Sequence, residues 1–144
     1  MNQLLVLCIG NICRSPMAEA MLQAALPKHV VRSAGLGALI GKPADPFSIQ
    51  LMAERGLDIT THRAQQISSA LVSQADLILV MDLDQKRYIE RQYIGVRGKV
   101  FRLCEETKSE VPDPYREGIE SFKVAEKLIE DGVRFWADHI SRMS

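Results

Sequence analysis

Apolar residues gather in short blocks along the chain, and polar, periodic stretches separate the blocks. Leu4–Ile9 (LLVLCI) is a continuous apolar run, the pattern of a strand buried on both faces. Ser15-Pro16 reads as a helix start, with Ser15 as N-cap and Pro16 at the first helical position. That helix runs through MAEAMLQAAL and stops at Pro27. His29–Ser33 (HVVRS) is a second strand. Asp45-Pro46 opens a helix over FSIQLMAER, with Asp45 as N-cap and Gly56 just past its end. Ser68–Ser73 is a short helix, and Ala75–Met81 (ADLILVM) is a third strand. Asp82 and Gln85 have the spacing of a capping box ahead of KRYIERQY. Lys99–Leu103 (KVFRL) is a fourth strand. Ile119, Phe122, Ala125, Ile129, Val133, Trp136 and Ile140 recur at helical spacing and mark one long amphipathic helix.

Strands thus alternate with helices. The pattern predicts an α/β fold: a three-layer domain with a four-stranded, mostly parallel sheet flanked by helices. Residues 1–144 are expected to form one domain, a length typical of a single hydrophobic core. Ligands in such sheets bind beyond the carboxyl ends of the strands, where the loop after the first strand lies.

Composition narrows the function classes. Lys plus Arg and Asp plus Glu number 18 each, so the formal charge is zero and no basic excess points to nucleic acid. No apolar stretch has the length of a membrane span, so no membrane insertion is expected. Three cysteines do not make a secreted disulfide framework, and a cytoplasmic location is expected. The histidines at 29, 62 and 139 show no metal spacing, and neither metal nor cofactor is expected. Gly35, Gly37 and Gly41 lack the spacing of a dinucleotide fingerprint.

The chemistry concentrates in Cys8-Ile-Gly-Asn-Ile-Cys-Arg14-Ser15. A loop between a buried strand and a helix N-terminus is suited to anions, because its N–H groups converge and the helix dipole assists. Gly10 and Asn11 tolerate the left-handed backbone that such a nest requires. Arg14 offers a planar fork of donors matched to phosphate oxygens. An arginine and a helix N-terminus beside Cys8 favour the nucleophilic thiolate.

This string resembles the N-terminal signature of the low-molecular-weight protein tyrosine phosphatases. So do its continuation Pro16-Met-Ala-Glu19, Ser33-Ala34-Gly35, the stretch from Asp58 to His62-Arg63, Val80-Met81-Asp82 and Asp113-Pro114-Tyr115. The likeness runs through nearly the whole chain in the same order. It implies hydrolysis of phosphotyrosine and small aryl phosphates through a phosphocysteine. Cys8 would be the nucleophile, and Arg14 with the loop amides from Ile9, Gly10, Asn11, Ile12 and Cys13 to Ser15 would hold the phosphoryl oxygens. Ser15 would donate to the Cys8 sulfur, and Asp113 would be the general acid. Asn11, supported by Ser33 and His62, would lock the loop.

Tyr115 would form one wall for the substrate ring, and Leu39, in the loop after Ser33, part of the other. The resemblance also implies a reversible Cys8–Cys13 disulfide under oxidation. A less aromatic rim (Leu36–Ile40, and Arg116 after Tyr115) looks like the bacterial branch associated with capsule and exopolysaccharide systems. The implied partner is a phosphotyrosine protein, such as an autophosphorylating bacterial tyrosine kinase, and the implied state is a monomer. The related arsenate reductases need further cysteines for their redox relay, and Met81–Tyr93 contains none. Cys104 is expected to be buried and inert.

Overall fold

The computed structural model describes residues 2–143. Four strands, β1 (Gln3–Cys8), β2 (Val30–Gly35), β3 (Leu77–Val80) and β4 (Val100–Arg102), form one sheet in the order β2-β1-β3-β4. Every pairing is parallel, so "mostly parallel" becomes fully parallel. Parallel strands need crossovers. Helices α1 (Arg14–Ala25), α2 (Pro46–Glu54), α3 (Ser69–Gln74), α4 (Leu83–Gln92) and α5 (Ile119–Met143) cover the two faces.

The strands are apolar throughout because both faces are buried. Leu4, Val6 and Cys8 of β1 face the core built with α1, α2 and α5, while Leu5 and Leu7 face the opposite core. β3 alternates in the same way, with Leu77 and Leu79 on one side and Ile78 and Val80 on the other. A fully buried Leu or Ile contributes about 1.5–3 kcal/mol, so these two strands anchor the molecule. On α5, Phe122, Ala125, Ile129, Val133, Trp136 and Ile140 are buried, at the spacing read from the sequence. Trp136 Nε1 donates to the carbonyl of Leu103 at 2.9 Å and ties α5 to the end of β4.

Several helix ends match expectation. Asp45 accepts from Phe47 N at 2.9 Å, Ser68 caps α3, and Gly56 follows α2 with φ +76°. Asp82 accepts from Gln85 N at 2.8 Å, but the Gln85 side chain accepts from Met81 N, one residue before the usual box partner. The start of α1 differs more. Its N-cap position is Cys13, without a side-chain cap, and Ser15 lies inside the first turn. Pro16 follows there harmlessly, since first-turn N–H groups have no helical acceptor. The Ser15 hydroxyl is not a cap because it is engaged in the site. The second strand begins at Val30 and runs on to Gly35, whose N–H and C=O are taken by Gln65 and Ile67.

Candidate active site

The segment 9–13 leaves β1 at its carboxyl end and curls back into α1. Its carbonyls are all taken up from outside. Those of Cys8, Ile9 and Gly10 accept from the backbone N–H groups of Leu36, Gly37 and Leu39, each at 3.0 Å. Ile12 O accepts from Asp45 N at 2.8 Å, and Cys13 O accepts from the Ser48 hydroxyl at 3.0 Å. Asn11 O lies 2.7 Å from His62 Nε2, and a carbonyl can only accept, so that nitrogen carries the proton. A trans peptide sets each N–H opposite the preceding C=O. Six carbonyls turned outward therefore aim the amides of residues 9 to 14 at the loop's centre.

Asn11 makes the turn possible. Its φ is +60°, a conformation that asparagine enters more readily than most residues. Gly10 is not in the left-handed region, so of the two residues expected there only Asn11 uses it. The Asn11 side chain is fully buried, and all its polar atoms are bonded. Nδ2 donates to Ser15 Oγ at 2.7 Å and Ser33 Oγ at 3.0 Å, and Oδ1 accepts from Gln65 N at 2.9 Å. The Ser33 hydroxyl in turn bonds to the Glu19 carboxylate. Burial pushes the Glu19 carboxyl above its ordinary value, partly offset by Ser33 and His62.

Cys8 Sγ lies 3.0 Å from Ser15 Oγ at the floor of a cavity of about 140 Å³. The loop residues Ile9, Gly10, Ile12, Cys13 and Arg14 line one part of it. Gly37, Leu39, Asp113 and Tyr115 form the rest. Arg14 is 3% exposed; its Nη1 donates to Val111 O at 2.8 Å, and its Nε is buried without a partner among the described residues. Asp113 is half exposed, with Oδ2 3.8 Å from Arg14 Nη2 and Oδ1 accepting from Tyr115 N at 3.1 Å. Val111 N donates to Met81 O and fastens this loop to the end of β3. The arrangement offers an electropositive cavity with a thiol below and a carboxyl at the rim, which is the equipment for capture of and attack on a phosphoryl group.

Cys13 lines the same cavity. Burial raises its pKa strongly, with Asp45, Cys8 and Asp113 acting in the same direction and Arg14 opposing. Cys104 is buried, and its Sγ donates to Leu128 O at 3.2 Å. Among the described residues no cluster of three His, Cys, Asp or Glu side chains could hold a metal ion, and no helix is long and apolar enough to cross a membrane.

The residues singled out by sequence thus converge, with Cys8, Arg14, Ser15 and Asp113 around one cavity and Asn11, Ser33 and His62 behind it. Three supports were not foreseen. Glu19 was visible only as part of a longer motif, Ser48 only as a helix residue, and Gln65 gave no signal; its backbone N–H donates to Asn11 Oδ1 and its side-chain amide to Ser33 O.

Known proteins resemble the chain in sequence and in fold. A family model described as low molecular weight phosphotyrosine protein phosphatase matches residues 3–144. A probable low molecular weight protein-tyrosine-phosphatase, EpsP of Ralstonia nicotianae, is 51% identical over 95% of this chain and 94% of its own length. Wzb of Escherichia coli K12, a protein of the same description, is 46% identical over 97% of this chain and 96% of its own. Among solved structures, Wzb from E. coli K30 with sulphate superposes with a TM-score of 0.92 at 38% identity, covering 96% and 98% of the two chains. Vibrio vulnificus Wzb with benzylphosphonate gives 0.92 at 41% identity and the same coverage. With fold, site and relatives in accord, the chain belongs to the low-molecular-weight protein tyrosine phosphatases.

Proposed function

We propose that the protein hydrolyses phosphotyrosine and small aryl phosphates in two steps through a phosphocysteine. The Cys8 thiolate attacks phosphorus, and the bond to the aryl oxygen breaks. Arg14 and the inward amides hold the equatorial oxygens as charge spreads over them. Asp113 gives its proton to the leaving phenolate. The resulting carboxylate then takes a proton from water, whose oxygen attacks phosphorus and displaces the Cys8 thiolate. Ser15 stabilises that thiolate by donating to it. The observation that carries this reading is the ring of outward carbonyls around Cys8, with the unpaired Arg14 Nε beside it.

The apolar walls supplied by Ile12, Leu39 and Tyr115 suit an aromatic ring, and the buried thiol suits a phosphate on a long side chain. The benzylphosphonate held by the Vibrio relative is a group of that shape. The likeness to EpsP and Wzb supports a bacterial capsule or exopolysaccharide setting, with an autophosphorylating tyrosine kinase as physiological substrate.

The test is turnover of aryl phosphates under reducing conditions. The wild type should release p-nitrophenol, Cys8→Ser should not, and Asp113→Ala should slow poor leaving groups far more than good ones. Equal losses across leaving groups would remove Asp113 as the acid. An inactive wild type would remove the whole reading.

A further inference from the structure

The chain is neutral overall, yet its charge is unevenly placed. Between residues 86 and 99 stand five cations, Lys86, Arg87, Arg91, Arg97 and Lys99, against one carboxylate, Glu90. That span carries +4 and the remainder −4. Two of the cations serve the fold. Lys99 Nζ donates to Val72 O and Ala75 O, each at 2.8 Å, and Lys86 Nζ stands 5.5 Å from the centre of the Phe101 ring.

The other three are presented to solvent. Arg87 and Arg91 lie one turn apart on the exposed side of α4, and among the described residues no carboxylate pairs with either. Like charges at that spacing disfavour a helix; the dipole at its C-terminus favours Arg91, but neither arginine has an ion-pair partner among the described residues. Arg97 is 79% exposed, 3.8 Å from Glu90. Asp84 is the exposed carboxylate on this helix, and it sits in the first turn. Beyond α4, Ile94 is fully exposed at a turn that Gly95 makes with φ +83°, and Tyr88 is partly exposed on the same helix.

An isolated surface isoleucine is ordinary. An isoleucine exposed at a turn between arginines in the sequence, Arg91 and Arg97, with an exposed tyrosine on the preceding helix, has the make-up of an interfacial anchor. Cations around an exposed apolar side chain fit a charged layer with an apolar interior better than an acidic peptide, which offers charge alone. We propose that this pole docks the protein on an anionic bilayer surface. The arginines meet headgroup phosphates, and Ile94 and Tyr88 enter the interface. α4 starts beyond the carboxyl end of β3 and finishes near the amino end of β4, so this pole lies opposite the Cys8 loop. Docking leaves the catalytic cavity open. The proposal is independent of the substrate reading above.

The experiment is co-sedimentation of the full chain with phosphatidylcholine vesicles, with and without phosphatidylglycerol. Binding is expected to the anionic vesicles alone and to weaken as salt is raised. Each arginine near such a surface is worth roughly five-fold in affinity, so Arg87→Glu with Arg91→Glu should weaken binding by about thirty-fold or more. Ile94→Ser should weaken it by roughly five-fold with the charge unchanged. Lys123→Glu on α5 should have little effect, and all the variants should turn over p-nitrophenyl phosphate in solution like the wild type. Absence of binding to anionic vesicles would overturn the proposal, as would an equal loss in Lys123→Glu. Binding of soluble polyglutamate as tight as that of vesicles, indifferent to Ile94→Ser, would assign the surface to an acidic protein segment instead.

Discussion

The sulfur of Cys8 and the hydroxyl oxygen of Ser15 stand 3.0 Å apart, and either can donate to the other. Once the sulfur leaves as a thiolate it has no proton, so the hydroxyl, which already accepts from the Asn11 amide, is then the donor. A hydrogen bond to a charged group is worth about 1.5–3 kcal/mol. Ser15→Ala should therefore slow breakdown of the phosphocysteine by roughly ten- to a hundred-fold. Stopped-flow turnover of a good leaving group should show a burst of phenolate followed by a slower steady state. Loss of activity without a burst would place Ser15 in the first step instead.

Asn11 combines a left-handed backbone with three buried side-chain hydrogen bonds. Asn11→Ala should cost about 2–4 kcal/mol, from backbone strain of about 1 and the lost bonds. At this chain length that is roughly 5–15 °C in melting temperature by calorimetry. Asn11→Gly loses the bonds but not the backbone, and should fall between the wild type and Asn11→Ala. Identical melting temperatures for the two variants would show that the backbone contributes nothing.

Glu19 gives a pH signature. Its carboxyl is held above the ordinary 4.5 by burial, so the folded protein retains the proton longer than the unfolded chain. The stability this contributes is fully present below that ordinary value and is lost as pH rises through the raised one. Urea titrations between pH 4 and 8 should show the wild type losing stability relative to Glu19→Gln across that window. A constant difference would mean that Glu19 titrates alike in both states.

Two glycines in the site should respond oppositely. A Cβ at Gly35 would run into the carbonyl oxygen of Ile9 and stand 3.1 Å from Ala38. Gly35→Ala must displace a carbonyl of the loop that follows β1, at about 1–3 kcal/mol of stability and with a fall in kcat. A Cβ at Gly10 would meet Ile12 and Leu39 at 3.8 Å, an ordinary contact. Gly10→Ala should fold with a melting temperature close to the wild type. Equal destabilisation of the two would contradict this packing.

Cys13 bears on oxidation. Its thiol stays protonated, so peroxide should first convert Cys8 to a sulfenic acid. Condensation with the Cys13 thiol would then form the disulfide and release water. Wild-type activity lost to peroxide should return with dithiothreitol, and that of Cys13→Ser should be lost for good, as read by activity and intact mass. Full recovery in Cys13→Ser would remove Cys13 as the guard.

Much of this was legible in the chain. The strands showed as unbroken apolar runs because both sheet faces are covered, and Trp136 and Ile140 showed as one helix face. Cys8 and Arg14 stood out by residue type and spacing, and Asp113 through the family resemblance. Ser15 was misplaced as a cap because a hydroxyl before proline has the same local chemistry whether it serves a helix or a distant sulfur. Gln65 and Glu19 were not legible in their roles. Their partners Asn11 and Ser33 lie 54 and 14 residues away, and only the sheet order brings them together. Gly10 shows the reverse error: glycine permits a left-handed turn, but Asn11 makes it.

The outward carbonyls separate two properties that usually change together. The loop 9–13 takes its form from main-chain groups bonded to neighbouring segments, while the side chains of Ile9, Leu39 and Tyr115 at the cavity take no part in those bonds. Geometry is thus inherited through the backbone, and selectivity is left to a few replaceable side chains. Such a site can acquire new substrates by drift at its walls without relearning how to hold phosphate.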